Sequence, residues 1–141
     1  MGTLTNLKGA RMNQIVKTKA INGTAHVGDI VISSPEDEYP LLVGVITEIK
    51  PLGHPDRDTE NDTDDVYVDF TAFPYSRARE KEIEAVFSEL YQNPKLFEDL
   101  PLDMAIMDPE SLLVLPQGCN IPDSLLNSEK SAEEFFLNLL K

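Results

Sequence analysis

Short apolar runs separated by turn residues dominate the first half of the chain and predict β-strands. A strand is expected within residues 14–21. The dipeptide Asn22-Gly23 that follows predicts a hairpin or a tight corner, because it adopts positive φ at low cost. A second strand is predicted at Ile30–Ile32, a β-branched run that follows a Gly-Asp turn and ends at Pro35.

Two further strands are predicted where apolar and polar residues alternate. Residues 41–50 place Val43, Val45, Thr47 and Ile49 on one face. Gly44 within this strand indicates a bend or bulge. Residues 65–73 have apolar side chains at every second position, which is typical of a half-buried strand. Its core-facing residues would be Val66, Val68 and Phe70.

Helical spacing appears after Pro74. Ser76 can cap a helix that runs to about Tyr91. Its apolar face consists of Ile83, Val86, Phe87 and Leu90. The opposite face, expected in solvent, holds Arg79, Glu80, Glu82, Glu84 and Glu89. Asp108-Pro109 then predicts a turn into a short strand at residues 111–116.

A second amphipathic helix is predicted at the C-terminus, where Ser131 and Glu134 have capping-box spacing. Its apolar stripe consists of Ala132, Phe135, Phe136, Leu139 and Leu140. Such a stripe either docks on its own domain or faces another chain.

These elements predict an α+β, mainly β fold: a small barrel of four to five strands, with one helix inserted before the last strand and one at the C-terminus. The strand order in residues 27–72, with residues 112–115 as a closing strand, resembles SH3-like barrels. The length of 141 residues suits a single domain at residues 13–141. Residues 1–12 show no period, and we expect a flexible tail there.

The chain carries 25 acidic and 12 basic residues, for a formal net charge of −13. This charge repels phosphate backbones and anionic lipids, so direct nucleic-acid or membrane binding is not expected. No apolar run approaches the roughly 20 residues of a membrane span, and none resembles a signal peptide. The single cysteine, Cys119, cannot form an internal disulfide. We therefore expect a soluble cytoplasmic protein.

Residues 56–65 form a dense acidic segment, here called the acidic loop. Its carboxylates are Asp56, Asp58, Glu60, Asp62, Asp64 and Asp65. Alternating acids could ligate a hard cation such as calcium. An EF-hand register starting at Asp58 fails, however, because Thr63 replaces the turn glycine and Asp69 stands where a glutamate is usual. An exposed loop kept soluble by its charge is the preferred interpretation, the same six residues are a candidate interaction loop, and no metal is expected.

A catalytic set is not visible in the sequence. His26 and His54 each lie beside a turn residue, and neither Cys119 nor any serine has the context of a known nucleophile motif. The seven glycines are dispersed, so no phosphate-binding loop is present. We expect no catalytic residues and no cofactor.

Aromatic residues suggest one candidate binding site. Tyr39, Tyr67 and Tyr75 could line a groove like the peptide-binding face of SH3-type barrels. Core packing instead explains Phe70 and Phe73.

Three sequence segments resemble uncharacterised small proteins that are carried by conjugative elements of gut bacteria. They are GDIVISSPEDEYPLLVG, the run from Thr59 to Asp65, and KEIEAVFSELY. The resemblance covers most of residues 20–115. It implies a setting, an accessory protein of a mobile element, and assigns no role to any residue.

Three hypotheses for function follow. The leading one is a non-enzymatic module that binds a protein partner; the identity of the partner and the oligomeric state of the chain stay open. The alternative is an acidic nucleic-acid mimic that inhibits a host DNA-binding or restriction enzyme, since spaced carboxylates can imitate phosphates. The third is an enzyme with an unfamiliar site, which a deep pocket holding His26 or His54 beside carboxylates would indicate.

Overall fold

The computed structural model describes residues 16–141 and has an α+β fold built on an antiparallel sheet. The predicted tail at residues 1–12 lies outside the described residues. The strands are β1 (Lys17–Ala20), β2 (Gly23–His26), β3 (Ile30–Ser33), β4 (Val43–Lys50), β5 (Asp65–Asp69), β6 (Ala105–Met107) and β7 (Leu112–Val114). The helices are α1 (Arg77–Leu90), α2 (Asp123–Asn127) and α3 (Glu129–Leu140). Short 3₁₀ turns cover Phe97–Asp99 and Pro109–Ser111.

Five strands form one sheet in the order β6-β5-β4-β3-β7, and β1 and β2 form a separate hairpin. Only residues 108–111 join β6 to β7, although these strands lie at opposite ends of the sheet. In a flat sheet the two strands would be about 19 Å apart. The connection from Met107 to Leu112 reaches at most about 18 Å when fully extended, and its 3₁₀ turn shortens it further. The sheet is therefore strongly curled.

The curled sheet is not a closed barrel within residues 16–141, because β6 and β7 do not pair with each other. Each of these end strands has three residues, which leaves few backbone groups to complete a ring of hydrogen bonds. The predicted α+β class is confirmed. The predicted closure is not found in this part of the chain.

The long strand β4 contains the irregularity that its sequence indicated, but at a different residue. Its register with β5 shifts between Ile46 and Glu48, which leaves Thr47 as the extra residue of a β-bulge. As a result Ile46 is buried and Thr47 is exposed, so the predicted single face from Val43 to Ile49 was wrong. Gly44 has another role. A Cβ there would lie 2.6 Å from the carbonyl oxygen of Asp69, so only glycine fits so close to β5.

Strand β5 lies between β4 and β6 and is buried on both faces. Val66, Val68 and Phe70 lie in the core as predicted. Tyr67 and Asp65, expected on a solvated face, are buried as well. The half-buried strand was thus a wrong prediction, because the preceding acidic loop folds over that second face.

Helix α1 begins at its predicted cap, where the Ser76 side chain accepts a hydrogen bond from the Arg79 amide. The predicted solvent position of Arg79 was wrong, since its side chain is 1% exposed. The Arg79 guanidinium donates to the carbonyl oxygens of Pro40 and Leu41, at 3.2 and 3.1 Å. Leu41 has φ +59°, a left-handed conformation that costs energy for leucine. Arg79 therefore fastens α1 to the strained loop between β3 and β4.

The C-terminal helix starts earlier than predicted. Ser128, not Ser131, is the cap of α3, and its hydroxyl accepts from the Ser131 amide at 3.1 Å. Ala132 and Phe136 pack into the core, so this helix docks on its own domain. Leu137 and Leu140 stay exposed. None of the helices within residues 16–141 combines the length and the apolar content that crossing a bilayer requires.

Candidate functional site

The acidic loop is organised around one buried carboxylate, Asp65, which is 1% exposed. Its Oδ2 accepts hydrogen bonds from the backbone amides of Asp58 and Thr59, at 3.0 and 3.1 Å. Its Oδ1 accepts from the Thr59 hydroxyl at 2.5 Å and from the Arg57 guanidinium at 3.3 Å. The start of the loop is therefore closed onto its end, in the way that Asx-type bonds shape turns.

Arg57, the only basic residue of the loop, faces inward. Besides Asp65, its guanidinium donates to the carbonyl oxygens of Asn61, at 2.8 Å, and of Thr63. The one positive charge of the loop therefore pairs with groups of the loop itself.

Asp64 ties the loop to two other parts of the molecule. Its carboxylate accepts from the Thr18 hydroxyl on β1 at 2.6 Å and from the Leu52 amide, just after β4, at 2.8 Å. The loop is thereby held on both sides.

Asp58 fixes the loop against the sheet. Its carboxylate accepts from the Tyr67 hydroxyl and lies 3.4 Å from Lys50 Nζ. Lys50 also donates to the carbonyl oxygen of Asp56 at 2.9 Å and lies 5.0 Å from the Tyr67 ring centroid. This cation–π arrangement places a positive charge beneath the loop.

These contacts favour the ionised forms of Asp58 and Asp65. Burial raises the pKa of Asp65, but the hydrogen bonds from Thr59 and the Asp58 amide and the charge of Arg57 outweigh it, so this pKa is lowered. The Tyr67 hydroxyl, with Lys50, lowers the pKa of Asp58. Burial and the hydrogen bond to Asp58 raise the pKa of Tyr67 in turn. The three groups share one polar network rather than a proton-transfer pair.

The other three carboxylates of the loop point away from it. Asp56, Glu60 and Asp62 are exposed, and within residues 16–141 their side chains have no hydrogen-bond or ion-pair partner. In the same part of the chain no group of three or more potential ligands is placed to hold a metal ion. The loop thus presents fixed negative charge to solvent.

The three tyrosines proposed as a groove do not lie together as exposed rings. Tyr67 and Tyr75 are buried. Tyr75 lies edge to face with Phe97, 5.9 Å between centroids, and its hydroxyl bonds the backbone of Val43. The groove prediction was wrong, because the acidic loop covers one ring and the core encloses the other.

Tyr39 packs elsewhere, against α1. Its ring lies 4.8 Å from that of Phe87, and Phe87 stacks on the exposed Tyr91 at 6.0 Å. Burial, with the neighbouring Tyr91 hydroxyl, raises the pKa of Tyr39 to about 12. An aromatic cluster exists, but only Tyr39 of the predicted set belongs to it.

The two histidines make local contacts within turns. His26 Nδ1 lies 3.7 Å from Asp29 Oδ2, and the same oxygen accepts from the His26 amide at 2.8 Å. His54 Nδ1 accepts from the Asp56 amide at 3.0 Å. His26 and Asp29 line an open cleft of about 470 Å³ near β7 and α3. This is a histidine beside a carboxylate, but at a distance too long for the hydrogen bond that orients a general base.

The inward contacts of Arg57, Thr59 and Lys50 were missed by sequence reasoning. One signal was present: Thr59 and Thr63 interrupt the acids, and hydroxyl residues in such runs favour side-chain-to-backbone bonds. Lys50 carried no local signal, since it lies on β4. Compared with family models, curated proteins and solved structures, the chain gives no match.

Proposed function

We propose that this chain is a non-enzymatic protein-interaction module whose acidic loop receives a positively charged segment of a partner protein. The observation that carries the proposal is that three of the loop carboxylates shape the loop while three others are free to contact a partner. Asp58, Asp64 and Asp65 bond to other groups and hold the loop in one shape, whereas Asp56, Glu60 and Asp62 are exposed and, within residues 16–141, have no side-chain partner. A surface that is ordered before binding loses less conformational entropy on binding. Its charge also steers a basic partner toward it.

We also propose that the curled sheet is an SH3-like barrel that is left open between β6 and β7. In its support, β3 follows the Gly28-Asp29 turn and pairs with the bulged β4, which pairs with β5. Strand β7, in the segment expected to close the barrel, pairs with β3. Nuclear Overhauser contacts between the backbones of β6 and β7 in solution would contradict the open form.

The setting we propose is a bacterial mobile element, in which the module acts as an accessory protein. Its support is the sequence resemblance of residues 20–115. A partner encoded by the same element, or by its host, fits this setting.

The test is capture of partners from a lysate of the host cell by immobilised full-length protein. A loop variant, Asp56→Asn with Glu60→Gln and Asp62→Asn, removes the three carboxylates that have no partner and leaves the bonds that shape the loop. The partner retained should fall about tenfold, because three surface charge pairs of about 0.5 kcal/mol each are lost. Mass spectrometry of the bound fraction quantifies the change.

The matched control carries the same change of charge on helices. Glu89→Gln with Glu133→Gln and Glu134→Gln alters exposed carboxylates of α1 and α3, and should retain the partner. Equal retention by the wild type and the loop variant would overturn the assignment of the loop.

A second candidate, the nucleic-acid mimic, is favoured by a different observation. Exposed carboxylates are not confined to the loop. They also include Glu36, Glu48, Glu89, Glu98, Asp99, Asp103, Glu110, Glu133 and Glu134. If mimicry is the function, both triple variants should weaken capture similarly, the captured proteins should be DNA-binding enzymes, and duplex DNA should displace them.

A further inference from the structure

The two ends of the main sheet are treated differently. At the β7 end, the Ile21 amide donates to the Leu112 carbonyl at 2.8 Å. The Asn22 carboxamide also bonds both the amide and the carbonyl of Val114, each at 2.8 Å. At the β6 end, no backbone or side-chain group among residues 16–141 bonds the outer side of β6. An uncovered strand edge is a template for another strand.

The register shows which groups face outward. Phe70 of the β5 segment donates its amide to Leu102, so the even-numbered residues of β5 point toward β6. Val66 and Val68 lie opposite Met107 and Ala105. In antiparallel pairing both groups of a residue point to the same side. The amide and carbonyl of Ile106, opposite Tyr67, therefore point away from the sheet.

The open edge is apolar in its centre. Ile106 is 38% exposed and the preceding Met104 is 69% exposed. Directly opposed residues share a face of the sheet, so the Ile106 side chain lies on the face of Tyr67. That is the face on which Asp58 and the acidic loop rest. The Ile106 side chain and the acidic loop therefore lie on the same face of the sheet.

The chain segments on either side of β6 are acidic. No lysine or arginine occurs between Lys95 and Lys130. The exposed acids flanking β6 in sequence are Glu98, Asp99, Asp103 and Glu110. Acidic side chains beside a strand edge repel an acidic strand and attract a basic one.

We propose that the outer edge of β6 receives an extended, positively charged segment of a partner protein as an added strand. The proposal rests on the proposed function and names the kind of segment that is bound. Backbone hydrogen bonds to Ile106 supply the register, Met104 and Ile106 supply apolar contact, and the acidic loop with Asp103 supplies charge complementarity. A second copy of the chain is a poor occupant, because each copy brings a net charge of −13.

The experiment uses the full chain and three synthetic octapeptides, with amide hydrogen exchange followed by NMR. Alternating lysine and valine makes a basic peptide that can form a strand. Alternating lysine and proline has the same charge, but half of its residues lack an amide N–H and have φ fixed at about −65°, away from the value of about −140° in an antiparallel strand. Alternating glutamate and valine reverses the charge. In the free protein the Ile106 amide should exchange much faster than those of Ala105 and Met107. Only the lysine–valine peptide should slow it, by about tenfold or more.

A lysine placed on the edge of β6 tests the site, and a lysine placed on α3 serves as its matched control. Ile106→Lys should weaken binding of the lysine–valine peptide about tenfold, because it adds repulsion and removes apolar contact. Leu137→Lys adds the same charge to the similarly exposed Leu137 of α3, and should leave binding unchanged. Thermal unfolding of both variants checks that they are folded.

The outcomes separate this inference from the proposed function. Binding that the loop variant abolishes but Ile106→Lys does not, with no protection of Ile106, would overturn the edge and leave the loop as the site. Equal binding of the lysine–valine and lysine–proline peptides would also overturn the edge and leave the loop as the site. Binding of neither peptide would overturn both proposals. Concentration-dependent protection of Ile106 without peptide would assign the edge to a second copy instead.

Discussion

At the scale of single residues, the role of a carboxylate depends on which groups surround it in the folded protein, and less on whether it belongs to an acidic run in the sequence. Asp64 and Asp65 are neighbours of Asp62 in the sequence, yet they bind Thr18, Leu52, Thr59 and Arg57 while Asp62 stays exposed. A charge-assisted bond to a buried carboxylate is worth more than an exposed one. Removing an inward carboxylate should therefore cost stability, and removing an outward one should not.

Asp65→Asn tests this directly. At pH 7 the free energy of unfolding should fall by about 2 kcal/mol, because a charged acceptor of several hydrogen bonds is replaced by a neutral amide. Asp62→Asn, the exposed control, should change it by less than about 0.5 kcal/mol. Urea unfolding followed by circular dichroism measures both.

The pH dependence of the same pair has a definite sign. The folded-state pKa of Asp65 is lowered, so its stabilisation is present above the pKa of the unfolded chain, about 3.9, and is lost as pH falls through the folded pKa. The difference between wild type and Asp65→Asn should thus shrink below about pH 4. A difference that is unchanged at pH 3 would show that Asp65 acts through shape and not through charge.

At the scale of elements, the hairpin of β1 and β2 works as a cover for the edge of β7. Its turn residue Asn22 presents a side-chain amide that pairs with Val114 as a backbone would. The hairpin is thus part of the sheet's edge protection, although it forms no strand of that sheet. Within residues 16–141 no group covers the outer edge of β6 in this way, so the two ends of the sheet differ.

Asn22→Ala should open the covered edge. Two hydrogen bonds are lost, so we expect a loss of about 1–2 kcal/mol in the free energy of unfolding and faster exchange of the Val114 amide. Asn120→Ala, at an exposed loop position, serves as the control. If the Val114 amide kept its protection in Asn22→Ala, the carboxamide would not be the cover of β7.

At the scale of the whole molecule, net charge opposes compactness. The formal charge is −13 on 141 residues, and among the described residues 16–141 few of the acids are paired with a base. Self-repulsion of this kind is screened by salt. The molecule should therefore respond to ionic strength as a whole, beyond the effect on any single pair.

Raising potassium chloride from about 20 mM to about 500 mM should stabilise the protein by about 1 kcal/mol, or a few degrees in Tm. Differential scanning fluorimetry measures this shift, and the helix variant Glu89→Gln with Glu133→Gln and Glu134→Gln should show a smaller one. A fall in Tm would mean that local attractions, such as Arg57 with Asp65, outweigh the net repulsion.

Local chemistry determined the parts of this protein that its sequence predicted correctly. The Asn22-Gly23 hairpin, the strand at Ile30–Ser33 and the helix capped by Ser76 follow from turn propensity, β-branching and capping, all of which act within a few residues. The α+β class followed from their order.

Tertiary structure alone decided the curl of the sheet, the burial of Tyr67, Tyr75 and Arg79, and the division of the acidic loop into inward and outward charges. The contacts responsible join residues far apart in the chain. Thr18 bonds Asp64 across 46 residues, Arg79 bonds Pro40 across 39, and Asn22 bonds Val114 across 92. Such contacts are settled by packing and by the need to satisfy buried polar groups, which no local pattern encodes.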